Sequence, residues 1–199
     1  SRIGRGNAGA GWSLELPRIT KSMKYGADQA QTGSFQVFEL GGEELVKFGS
    51  QENGCDRYYS STELHQKILY CPLTNHWVVY DKGGTQMKFG STPFSRYTNT
   101  TLGVTFEWHL DQVTDTHGLS WKATYLDVGQ NVRRLDRINY AYKDGFEVGD
   151  VREVQFTWEA RADIQVHYRF GQAAVLDKRI KELTVKLGIQ RVRKYQLSY

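Results

Sequence analysis

The stretch Val104-Thr105-Phe106-Glu107-Trp108-His109-Leu110-Asp111-Gln112, followed after a turn by residues 119–126, decides the reading of the fold. Successive side chains of a strand point to opposite faces. Val104, Phe106, Trp108 and Leu110 therefore share one side, and Thr105, Glu107, His109 and Asp111 the other. Asp115-Thr116-His117-Gly118 supplies turn residues, and Trp121, Ala123 and Tyr125 carry the apolar side back. The pair is expected to be a β-hairpin with an apolar inner face and a wet, charged outer one.

The same rhythm extends along the chain. Ile138, Tyr140 and Tyr142 alternate, then Val154, Phe156 and Trp158, then Tyr195, Leu197 and Tyr199. Strands are also expected at residues 35–40 and 44–48 around Gly41-Gly42, at 67–71, and at 76–81 and 85–89 around Lys82-Gly83-Gly84. Residues 12–16 read as a strand ended by Pro17, fed by a glycine-rich loop over the first eleven residues. Segment 173–187 has two readings. Val175, Leu176, Arg179, Ile180 and Leu183 fit helical spacing, whereas Leu183, Val185 and Leu187 alternate as a strand. The expectation is roughly ten to twelve strands: an all-β chain of large, antiparallel, strongly twisted sheet, shell- or sandwich-like and part of a larger β structure. With no repeat and no linker, residues 1–199 are expected to form one module.

Composition agrees. Aromatics reach 13% and Gly 20 stands against Pro 3, which suits pleated sheet and tight turns. No apolar run approaches the roughly 20 residues that span a bilayer as a helix, and no direct membrane insertion is expected. The net charge of +4 is too small to imply nucleic acid. Basic residues thicken at Lys178, Arg179, Lys181, Lys186, Arg191, Arg193 and Lys194, mostly alternating with apolar ones, and read as solvated strand faces. No targeting segment is visible, and the strand-like end suggests a piece of a longer polypeptide.

Candidate chemistry is sparse. Glu107, His109 and Asp111, with Asp115 and His117 in the turn, form the most enzyme-like group, since carboxylates around a histidine bind metals or move protons. The competing reading, which we favour, is the exposed face of an amphipathic strand. Cys55 and Cys71 leave open a disulfide or two free thiols, and a zinc site from Cys55, His65, Cys71 and His76 lacks the close ligand pairs such sites use. Gly4, Gly6, Gly9 and Gly11 neither follow a strand nor open a helix, so no dinucleotide loop is read there. No Gly-x-Ser-x-Gly elbow occurs. Tyr and Trp side chains invite a carbohydrate-binding sandwich, but most lie on the apolar side of alternating strands. Asn99-Thr100-Thr101 is a glycosylation sequon with no role assigned. The expectation is no catalytic, cofactor or metal site.

Several segments, in order, resemble one bacterial family. Gly9-Ala10-Gly11-Trp12-Ser13-Leu14-Glu15-Leu16-Pro17-Arg18-Ile19 is similar to its Gly-x-Gly-Trp-Ser-Leu-x-Leu-Pro-x-Ile, and Phe38-Glu39-Leu40-Gly41-Gly42-Glu43-Glu44-Leu45-Val46 to its Phe-x-Leu-x-Gly-Glu-x-Leu-Val. Residues 77–90, with Tyr80, Asp81, Gly84 and Phe89-Gly90, match its central strand, turn and Phe-Gly close. Phe156, Glu159, Arg161, Asp163 and Tyr168 follow its Phe-x-Tyr-Glu-x-Arg-Pro-Asp-x-x-x-x-Tyr, and Arg179-Ile180-Lys181 and Val192-Arg193-Lys194-Tyr195-Gln196-Leu197-Ser198-Tyr199 its closing signature. The family is the SpvB-like amino-terminal module of the Salmonella virulence plasmid toxin, of the B component of tripartite insecticidal Tc toxins, and of Rhs or YD-repeat relatives. The Pro-Phe that often precedes the front motif is absent, and Ala162 stands where proline is usual.

The resemblance implies a secreted, possibly surface-associated scaffold and no enzyme. In the Tc toxins, B-component strands wind with those of the C component into a hollow shell around a toxic polypeptide. Implied partners are other segments of the same polypeptide, a companion Rhs-type shell protein and the enclosed toxin, with no nucleic acid. The resemblance also implies a strand at 173–187. Some relatives carry an ADP-ribosyltransferase, but its Glu-x-Glu pair occurs nowhere in this chain.

Overall fold

The computed structural model describes residues 5–6, 8–10, 14–24, 36–62, 64–99, 101–129 and 131–198. Among them are sixteen strands, one short 3-10 turn and no α-helix. Contacts divide the chain into two compact units, Pro17–Ser120 and Ser1–Leu16 with Trp121–Tyr199.

The first unit is a closed antiparallel barrel. Its strands are β3 (Arg18–Lys21), β4 (Phe38–Leu40), β5 (Glu43–Glu52), β6 (Cys55–Ser60), β7 (Lys67–Cys71), β8 (His76–Tyr80), β9 (Gln86–Phe89) and β11 (Val104–Thr114). Each pairs with the next, and β11 closes the ring by pairing both with β9, Leu110 opposite Phe89, and with β3, Trp108 opposite Ile19. β10 (Arg96–Asn99) runs along the start of β11. The expected turns are present. Gly41 and Gly42, at φ 62° and 89°, give the doubly left-handed turn that suits the twist of a two-residue hairpin. Asp81 Oδ1 accepts from the amides of Gly83 and Thr85 at 2.8 and 3.0 Å and holds the β8–β9 loop.

Alternation places the large side chains inside. Trp77 stands opposite Tyr70 on one side and Phe89 on the other. Its ring lies 4.8 Å from Phe38, 4.9 Å from Tyr58, 4.8 Å from Tyr70 and 6.0 Å from Trp108, mostly edge to face. Such pairs add about 0.5–1.5 kcal/mol each beyond burial. The Asn75 carboxamide oxygen accepts from the Trp108 indole at 3.0 Å and the Tyr70 hydroxyl at 3.1 Å, so two polar tips in this core are satisfied by one loop residue. Lys21 also lies inside, its ammonium 6.0 and 5.9 Å from the Phe38 and Phe106 rings, and burial lowers its pKa.

Cys55 and Cys71 form a disulfide between the neighbouring strands β6 and β7, which resolves the alternative left open by the sequence and removes the zinc reading. With a separation of 16 residues, the chain-entropy model assigns the bond about 3 kcal/mol.

The second unit begins with a small hairpin of β1 (Arg5–Gly6) and β2 (Gly9–Ala10), where a loop was expected. The strand expected at 12–16 is not present over residues 14–17; Trp12 and Ser13 lie outside the described residues. The ladder starts after Pro17, because a proline lacking an N–H serves a strand best at its border. The unit's main sheet is an antiparallel meander of β12 (Leu119–Asp127), β13 (Arg133–Lys143), β14 (Phe146–Arg169), β15 (Gln172–Leu187) and β16 (Gln190–Gln196). Ala123, Tyr125, Leu135, Phe156 and Ile180 form its core with Ala8, and Trp158 packs against them with its indole donating to the Leu135 carbonyl at 3.0 Å. On the other face, buried Glu153 meets Lys186 at 3.0 Å and Arg137 at 3.5 Å.

Segment 173–187 is strand. Its helical spacing has a local cause: where Trp158 pairs with Ile180 and Thr157 with Glu182, Lys181 is left out of register. That bulge brings Ile180 and Leu183, three residues apart, to the same core.

Two predictions follow from the barrel. Gly90 has φ +69°, and a Cβ there would overlap the Trp108 side chain. Gly90→Ala should therefore cost about 2–4 kcal/mol in urea unfolding. The Tyr58 hydroxyl is pushed up to about 12 by burial, helped by Asp56 and Tyr70. The folded state then holds this proton more tightly than the unfolded chain, so stability is full below pH about 10 and falls as pH rises toward 12. Denaturation midpoints between those values should decline less steeply in Tyr58→Phe.

Candidate functional site

β11 carries the acidic group singled out in the sequence, and its outer face is not wet. Glu107 is 2% exposed and Asp111 3%, so the expected solvated strand face is overturned. The physical reason is that each carboxylate has been given partners. β3 pairs with β11 so that Arg18 stands opposite His109. Arg18 Nε lies 3.8 Å from Glu107 Oε1, and His109 Nε2 3.4 Å from Glu107 Oε2.

Asp111 turns to a different element. Its Oδ2 accepts from the Ser91 amide at 2.7 Å, the Ser91 hydroxyl at 2.8 Å, the Thr92 amide at 3.1 Å and the Ser95 hydroxyl at 2.5 Å. Ser95 closes the 3-10 turn Pro93–Ser95, Thr92 is its N-cap and Ser91 precedes it; the Thr92 hydroxyl accepts from the Ser95 amide at 3.3 Å. The turn thus wraps the carboxylate and buries it. Asp115 is occupied locally: its Oδ1 accepts from the amides of His117 and Leu119, both at 2.8 Å. Of the five residues, the structure brings Glu107 and His109 together and assigns Asp111 and Asp115 to separate turns. The arrangement anchors backbone and neutralises charge. Among the described residues, no group of three or more His, Cys, Asp or Glu is placed to hold a metal ion.

Arg18, Ser91, Thr92 and Ser95 were missed by sequence reasoning. Thr92-Pro93-Phe94-Ser95 did carry a signal, a hydroxyl N-cap followed by Pro at the first helical position.

His76 sits opposite Cys71, its Nδ1 2.6 Å from the Thr74 hydroxyl. Burial, then Lys88, lowers its pKa, with Asp111 opposing. Among the described residues, Trp77 and Trp108 are buried and Trp121 and Trp158 half-buried, so none of these four stands out from the surface as an exposed ring; Trp12 lies outside the described residues. The sequon residue Asn99 is buried, with its Oδ1 accepting from the Leu102 amide at 3.1 Å; Thr100 lies outside the described residues.

No protein-family model matches the chain, and no curated protein matches it in sequence. Solved structures do. The amino-terminal domain of the effector protein SpvB from Salmonella typhimurium aligns over 98% of this chain and 91% of its own, with a TM-score of 0.73 and 17% identity. The chain has the SpvB amino-terminal fold. That fold also occurs in the Photorhabdus luminescens Tc holotoxin pore (TM-score 0.77, 17% identity, 96% of this chain) and in the TcdB2-TccC3 complex (0.73, 16%, 94%). In both, the chain spans 12% of the matched polypeptide, so the SpvB fold there is one segment of a much longer protein.

Because Asp111 accepts four hydrogen bonds from Ser91, Thr92 and Ser95, Asp111→Ala strands amide and hydroxyl donors at the turn. It should cost about 3 kcal/mol by urea denaturation. Catalysis would not predict that loss, since a merely catalytic carboxylate is usually removed without it.

Proposed function

We propose that residues 1–199 act as one non-enzymatic structural module of a secreted bacterial toxin complex, contributing wall to a β shell around a toxic polypeptide. The observation that carries this reading is the match over 98% of the chain to the SpvB domain, with the same fold recurring as a segment of Tc toxin chains. Two features support it. The acidic group on β11 is spent on holding backbone in place, and the disulfide suits an oxidising, extracellular setting. The partners are then other segments of the same polypeptide and a companion Rhs-type shell protein.

Co-expression with such a companion should yield a complex that stays together through gel filtration. A folded chain that elutes alone at every ratio sinks the proposal. The purified chain should also release no nicotinamide from NAD; turnover abolished by Glu107→Gln in a variant that keeps its fold would make it an enzyme.

A further inference from the structure

Part of the barrel's outer wall is apolar and cationic together. Residues directly opposite one another on paired strands share a face. The registers therefore set Phe48, Arg57, Leu69, Val78 and Lys88 in one row across β5, β6, β7, β8 and β9. Tyr58, Ile68, Trp77 and Val79, which alternate with them along the strands, are buried in the barrel interior, so the row faces outward. On the same outer face Val46 stands opposite Tyr59, and Lys67 opposite Tyr80. None of these nine residues is an acid.

The β5–β6 end of the row is built like the centre of an interface. Val46 and Phe48 are 57% and 53% exposed. Phe48 packs edge to face on Tyr59 at 5.2 Å, and the Arg57 guanidinium lies 5.1 Å from the same ring. Aromatic side chains and arginine are what the energetic centres of protein interfaces gather. The charges point to the occupant. In this unit Arg18, Lys24, Lys47 and Lys67 each meet a carboxylate, whereas Arg57 and Lys88 have none among the described residues. Arg57 Nε is moreover out of water with no hydrogen-bond acceptor, an unmade bond that a carboxylate would complete.

We infer that this wall docks an extended acidic segment laid across the strands, with one carboxylate facing Arg57 and another facing Lys88. The two positions are three strand spacings apart, about 14 Å. Carboxylates four residues apart in an extended chain span about 13 Å on one side. An apolar residue between them then lies over Leu69 and Val78, and one beyond the first carboxylate reaches Phe48. A second copy of the wall is excluded as the occupant, because face-to-face packing brings cation against cation. A nucleic acid is disfavoured, since residues 17–120 hold 9 Lys and Arg against 11 Asp and Glu and gather no phosphate-attracting field. The inference rests on the shell reading for the source of the segment, a neighbouring stretch of polypeptide, and adds its chemistry and its place.

The test uses the whole chain and a synthetic peptide with two Glu four residues apart, valine midway between them and leucine two residues beyond one of them, beside its Lys-for-Glu counterpart. The acidic peptide should shift the amide resonances of Phe48, Arg57, Tyr59 and Lys88 and bind about five- to tenfold more tightly than the basic one, less so at high salt. Arg57→Gln/Lys88→Gln should erase that preference with the near-ultraviolet circular dichroism unchanged. Lys88→Glu alone, at a half-buried surface position, should bring the two peptides within about twofold, which keeps the inference open to failure should the double variant unfold. Phe48→Ala should weaken the acidic peptide about threefold and leave the salt dependence as it was. The inference fails if the shifts fall outside β5 to β9, if the basic peptide binds equally well, or if the chain self-associates through Phe48. Preferential binding of single-stranded oligothymidine at these residues also overturns it. Should Arg57→Gln/Lys88→Gln still assemble undiminished with a companion shell polypeptide, the shell reading stands and this wall is wrong. Should the acidic peptide bind while no companion is captured, the wall stands and the shell reading falls.

Discussion

Closure of the barrel by β11 is the constraint on which the rest of the described architecture depends. This one strand pairs with β3 near its middle and with β9 toward its end, so it completes a ring in which no edge is left open. Closure fixes the inward direction of Phe106, Trp108 and Leu110, and with it the stacking of aromatic rings around Trp77. On the polar outer row, Glu107 and Asp111 are buried and compensated where they stand, by Arg18 and His109 and by the 91–95 turn.

Much of the fold was legible because alternation is a local property. The hairpins around Gly41-Gly42, Lys82-Gly83-Gly84 and residues 115–118 could be placed from turn chemistry and the two-residue period alone. What could not be read was what lies over a strand's second face. Glu107 and Asp111 looked solvent-facing because nothing near them in sequence announces Arg18, 89 residues before Glu107, or the turn at Ser91. The double reading of 173–187, which the family resemblance resolved to the strand that is present, has a related cause: a bulge at Lys181 shifts the period by one residue, and a two-residue period interrupted once imitates a helical one.

The candidate site was legible in its residues and not in its role. The sequence offered Glu107, His109 and Asp111 as a cluster, and the structure separates them by purpose while keeping Glu107 and His109 in contact. Buried carboxylates are costly unless they accept hydrogen bonds or meet a cation, so a buried acid surrounded by backbone amides and hydroxyls is as much a fastening as a reagent. The disulfide was open in the sequence because two cysteines 16 residues apart say nothing about strand register; pairing Asp56 with Tyr70 sets Cys55 beside Cys71.

Barrel closure also has an order in time. β3 and the segment of β11 that meets it are separated by about 90 residues, a long loop to close and so a late, slow event. The pairings from β3 to β9 each join strands consecutive in the chain and are free to form first, giving a curved sheet whose two borders, β3 and β9, wait for the same strand. A ribosome that has released only as far as Gly90 holds most of a barrel and none of its seam.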